Sequence, residues 1–120
     1  MKYSDFVLRP MRNHKFMVLK DIFYKDLVIE KGFRSDGGSV PRIFWSLFPP
    51  NETTMLPLYI VHDYLCELEQ YDKADKYLLE LGKELSIKKI KLYTIYFSIK
   101  IYHIIRYKIF KKIKNFLINY

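Results

Sequence analysis

The sequence predicts a small α+β domain: an N-terminal antiparallel β meander, a Gly/Pro-rich loop, then three helices, the last long, basic and amphipathic. Three observations predict it. Short apolar runs broken by polar, turn-prone pieces fill the first third. Three of the four glycines and three of the five prolines crowd into residues 32–54. Apolar residues then recur at three- and four-residue spacing to the end of the chain. A chain of 120 residues with 50% apolar content can close one core. Residues 1–106 are read as one domain and residues 107–120 as a basic, helical C-terminal extension.

The strand candidates are Phe6-Val7-Leu8, Phe16-Met17-Val18-Leu19 and Leu27-Val28-Ile29, with Arg12-Asn13-His14 and Lys25-Asp26 between them. In the irregular stretch that follows, Val40, Ile43, Phe44, Trp45, Leu47 and Phe48 are expected to pin the loop to the core. The first helix is expected from about Pro57 to Glu69, with Pro57 in its first turn, Thr54 as a cap and Leu58, Val61, Leu65 and Leu68 as its apolar stripe. The second is expected from about Asp72 to Leu81, with Ala74, Tyr77, Leu78 and Leu81 inward and Gly82 either ending it or starting a loop to Ser86. The third begins near Ser86 and continues to the C-terminus.

The net charge of +8 is uneven. Residues 1–84 carry 12 basic and 13 acidic side chains, whereas residues 85–120 carry 9 basic and none acidic. A neutral body with a cationic tail points to an anionic membrane surface or a polyanion as partner. The lone Cys66 excludes an internal disulfide. Residues Met1–Asp5 show no apolar run of a secretory leader. No Cys cluster exists, and His14, His62 and His103 lack zinc-ligand spacing. A Walker loop, a dinucleotide fingerprint and a Gly-x-Ser-x-Gly elbow are all absent.

The chemistry-bearing residues concentrate in one constellation. On a helical wheel His62 falls about 40° from Leu58, at the border of the buried stripe, with Asp63 one step nearer solvent. Asp75 sits at the border of the second helix's stripe. A short link at Gln70-Tyr71 favours an antiparallel pair, which brings the two borders together. His62 is then a general-base candidate, with Asp75 fixing its tautomer. Asp63 and the loop Ser35-Asp36-Gly37-Gly38-Ser39 are candidates for holding a hard cation, since Gly37 and Gly38 let carbonyls approach closely. Cys66, one turn after His62, allows a Cys–His nucleophile pair on paper. The same residues equally suit a structural polar network, a plain turn at the glycines and a surface ion pair at Asp75.

Gly32-Phe33-Arg34-Ser35-Asp36-Gly37-Gly38-Ser39-Val40-Pro41-Arg42-Ile43-Phe44-Trp45, then Ile60-Val61-His62-Asp63-Tyr64-Leu65, then Ala74-Asp75, resembles a bacteriophage and prophage family, domain-of-unknown-function family 1353. The resemblance covers roughly residues 5–105 and implies a phage or prophage origin without a settled activity. Cys66 stands where that family often has Tyr. At motif level only, a glycine loop, a helical His-Asp and a later helical Asp are similar to phospholipase A2 enzymes. That similarity implies calcium at Asp63 and the loop (Asp36, Gly37, Gly38), His62 activating water and Asp75 orienting it.

The tail shows Ile95, Ile99, Tyr102, Ile109, Ile113, Phe116 and Tyr120 at alternating four- and three-residue steps, broken only by Arg106. Lys108, Lys111, Lys112 and Lys114 lie opposite Phe110 and Phe116, the pattern of an interfacial membrane helix. From Leu92 to Ile105 the apolar run is too short to span a bilayer and is interrupted by Lys100.

The expected function is therefore one of two kinds. The first is a phage-encoded hydrolase-like protein with a His62–Asp75 site acting at a membrane surface. The alternative is a non-enzymatic virion or assembly protein, or an inhibitor of a host factor, in which the His-Asp network is structural. The tail would meet an anionic membrane or a phage or host protein, with a second copy of the chain and nucleic acid as further occupants. The expected place is the host bacterial cytoplasm, at the membrane periphery, or the virion.

Overall fold

A computed structural model describes residues 2–35 and 54–118. Five short strands precede three helices: β1 (Leu8–Pro10), β2 (Phe16–Val18), β3 (Ile22–Tyr24), β4 (Leu27–Ile29), β5 (Arg34–Ser35), α1 (Leu56–Glu67), α2 (Tyr71–Glu84) and α3 (Lys89–Ile118). The α+β class matches the sequence expectation. The strands do not form one simple meander, however. β1, β2 and β5 make an antiparallel sheet in that order, and β3 and β4 form a separate hairpin between β2 and β5 in sequence. Pro10, which cannot donate to a ladder, lies on the edge strand β1.

The hairpin turns at Lys25, which adopts φ +51°. Its tip is tied to α2: Asp26 accepts hydrogen bonds from Lys73 and Tyr77, and Tyr24 packs edge-to-face on Tyr77 with ring centroids 5.6 Å apart. Alternation along β3 and β4 buries Ile22, Tyr24, Leu27 and Ile29 and exposes Phe23 and Val28.

α1 is the central element. Nine of its twelve residues are buried, so it is enclosed on almost every side rather than along one stripe. This corrects the expectation that Asp63 turns towards solvent. Met55, not Thr54, holds the N-cap position, and no side chain caps the helix. Pro57 occupies the first turn, where its missing N–H costs nothing.

α1 and α2 both end in Schellman-type returns. Gln70 N donates to Leu65 O (2.9 Å) and Glu69 N to Cys66 O (3.0 Å); Ile87 N donates to Gly82 O (3.0 Å) and Ser86 N to Lys83 O (3.1 Å). Glu69 (φ +59°) and Ser86 (φ +58°) take the left-handed position that glycine usually fills. Gly82 does not end α2, contrary to expectation. It is buried inside the helix, and a Cβ there would overlap both methyl groups of Leu92 on α3.

α3 packs on the body through Leu92, Ile95, Ser98 and Ile99 and then continues without a break. Thirty residues at about 1.5 Å each give a rod of about 45 Å. From Ile104 through Leu117 every residue is exposed.

Candidate functional site

The α1–α2 pairing brings His62 and Asp75 together as the wheel argument expects. His62 Nε2 lies 2.9 Å from Asp75 Oδ1, and both side chains are buried. The other ring nitrogen, Nδ1, lies 3.6 Å from Cys66 Sγ, one turn further along α1. His62 is 2% exposed, so both nitrogens are engaged inside the protein. Burial alone would lower the imidazole's pKa. The hydrogen bond to Asp75 and the Cys66 contact outweigh it and raise the value to about 9. The ring is therefore an imidazolium at neutral pH, paired with the Asp75 carboxylate.

α3 closes the network from the other side. Lys100 Nζ stands 3.7 Å from Asp75 Oδ2, so Asp75 faces a cation with each oxygen. His103 stacks on His62 with centroids 6.1 Å apart and planes 15° apart, and Tyr71 meets His103 edge-on. Desolvation holds the His103 pKa below its ordinary value; Asp75 opposes this, while His62, Arg106 and Lys100 reinforce it. Lys100 and His103 are members of the site that the sequence constellation did not assign to it, whereas Cys66 was placed beside His62 by its one-turn spacing. Lys100 had left one signal, as the single charge interrupting the apolar run of the third helix.

Asp63 is placed elsewhere, by strand pairing. β5 pairs with β2 so that Ser35 stands opposite Phe16, and Ser35 Oγ donates to Asp63 Oδ2 at 2.7 Å. Both residues are buried. This bond ties the end of β5, where the glycine loop begins, to the central helix. The calcium expectation can be compared with Asp63 alone, because Asp36, Gly37 and Gly38 lie outside the described residues. A hard cation of that kind takes six to eight oxygens. Among the described residues no three of His, Cys, Asp or Glu converge in a metal-binding group.

Beside the network, a groove of about 570 Å³ runs between the N-terminal end of α2 and the middle of α3. Asp75 forms part of its wall, together with Tyr71, Lys100, His103 and Arg106. The sequence profile of a family described as "Protein of unknown function (DUF1353)" matches residues 13–99. This chain belongs to that family. The match takes in β2 through β5, α1, α2 and the body-packed part of α3, and so His62, Cys66 and Asp75 of the network but not Lys100 or His103. No curated protein and no solved structure matches the chain significantly. The part of α3 beyond residue 99 lies outside the DUF1353 match.

Proposed function

We propose that this DUF1353 protein is a membrane-peripheral phage or prophage protein, docking on anionic lipid through the free half of α3, with the His62 network as its internal brace. The observation that carries this reading is the exposed end of α3. At about 100° per residue, Ile105, Ile109, Phe110, Ile113, Phe116 and Leu117 fall within an arc of about 140°. From Ile109 to Leu117 these five apolar side chains are between 53% and 68% exposed. Lys108, Lys111, Lys112 and Lys114 occupy the rest of the circumference, and residues 85–120 contain no acid. An apolar face with a lysine-rich opposite face seats a helix in the headgroup region of an anionic bilayer. No helix among the described residues is long and apolar enough to cross a membrane; the proposed seat is the bilayer surface.

The test is sedimentation of the full chain with vesicles. Phosphatidylglycerol vesicles are expected to carry it down and phosphatidylcholine vesicles to leave it in solution. Replacing one of Lys108, Lys111, Lys112 or Lys114 with Gln should weaken binding by about fivefold, the effect of about 1 kcal/mol per basic residue. Ile113→Ser with Phe116→Ser should abolish it. Equal binding to both vesicle types, or none to either, rejects the proposal.

The brace reading rests on His62 having both nitrogens occupied in a buried, charged network, which suits architecture better than water activation. Hydrolase-like chemistry is a second reading, favoured by one contact. Cys66, His62 and Asp75 stand in the order nucleophile, base and orienter. Ester or phosphoester turnover that disappears in both Cys66→Ala and His62→Ala would establish it in place of the brace.

A further inference from the structure

We infer that the groove between the start of α2 and the middle of α3 is a binding site for one anionic amphiphile, with its oxyanion head on Arg106 and its chain along Ile104, Tyr107 and Phe110. Two ridges of α3 form one wall, each at three-residue spacing. Lys100, His103 and Arg106 make the polar ridge; Ile104, Tyr107 and Phe110 make the apolar one. A wall divided lengthwise into cationic and apolar halves matches a molecule divided the same way.

The charges in the groove are not equally available. Asp75 is occupied by His62 and Lys100. His103 is shifted towards its neutral form by burial. Arg106 is exposed and makes no ion pair with any described residue. It is also the one residue that breaks the apolar series of the helix. A guanidinium at that break presents a planar fork, the geometry that grips a phosphate or carboxylate with two parallel hydrogen bonds. Asp72 on the opposite wall disfavours a dianion, so a singly charged head fits best. The volume of about 570 Å³ suits a headgroup and the first part of a chain.

The inference rests on the membrane reading for the source of such a ligand, but its geometry is separate. The phosphate and carboxylate heads share the chemistry, and the experiment tells them apart. Calorimetry on the full chain would use dihexanoyl-phosphatidylglycerol below its micelle concentration, octanoate and inorganic phosphate. One of the two chain-bearing anions should bind once per chain, about tenfold or more tighter than inorganic phosphate. Arg106→Gln should weaken that binding by about tenfold or more, the loss of a charge-assisted pair. Ile104→Ser, which lies off the membrane-facing arc, should weaken it too, whereas Ile113→Ser with Phe116→Ser should leave it unchanged. Absence of binding by the folded wild type overturns the inference, as does undiminished binding in Arg106→Gln. Inorganic phosphate binding as tightly as the tighter-binding amphiphile would also overturn it, since the apolar ridge would then contribute nothing. Vesicle docking that fails while the soluble amphiphile still binds would remove the membrane reading alone.

Discussion

His62 is more basic in the folded chain than in the unfolded one, and stability must therefore depend on pH. Its pKa rises from the ordinary 6.5 to about 9, with Asp75 on α2 and Cys66 on its own helix supporting the charge and Lys100 and His103 on α3 closing it in. A raised folded-state pKa means that the stabilisation is complete below about pH 6.5 and is lost as pH climbs through about 9. The amount is on the order of 3 kcal/mol, from the rise from 6.5 to about 9 at about 1.4 kcal/mol for each pH unit. Urea midpoints should accordingly fall between pH 6.5 and 9 in the wild type and stay nearly flat in His62→Gln. A slope that survives in the variant would place the titration on another group. His62 and Asp75 were legible in the sequence because helical spacing alone puts them near stripe borders. The surroundings of Asp63 were not, since a stripe of four apolar residues does not reveal that α1 is buried all round. Nor were Lys100 and His103, whose approach to Asp75 depends on where α3 crosses α2.

The helices show how one residue type can mislead about an element's end. Gly82 reads as a stop because glycine is the usual residue after a helix. In the structure the left-handed position belongs to Ser86, and Gly82 is there to let Leu92 approach. The two positions predict opposite effects. Ser86→Gly relieves a left-handed non-glycine residue and should stabilise the protein by about 1 kcal/mol. Gly82→Ala gains about 1 kcal/mol of helix propensity but forces the buried Leu92 to move, which costs about 1–3 kcal/mol, so the net change should be destabilising. Denaturant midpoints of the two variants should therefore shift in opposite directions. A stabilised Gly82→Ala would mean that Leu92 repacks without cost. The hairpin β3–β4 was half legible: Leu27–Ile29 stood out as an apolar run, whereas Ile22–Tyr24 is bounded by charged residues and declares itself only through its partner.

At the scale of the whole molecule, the apolar stripe of α3 is one feature with two environments. Leu92, Ile95 and Ile99 point into the body, and Ile109, Ile113 and Phe116 continue the same face beyond it. A second copy of the chain and an anionic membrane are rival covers for that continuation, and charge separates them. Two tails laid side by side would bring together lysines with no acid between them, a repulsion that salt screens over a Debye length of about 10 Å at 0.1 M. Self-association through the tail must then strengthen as salt is added. Attraction to anionic lipid has the opposite sign and must weaken, by the same screening. Sedimentation equilibrium in solution and vesicle binding, each measured from about 0.02 to 0.5 M salt, therefore read the two covers with opposite slopes. The membrane proposal predicts a monomer at low salt and vesicle affinity that declines steeply across the series. A dimer that tightens with salt, together with vesicle binding that does not change, would assign the stripe to a second copy of the chain.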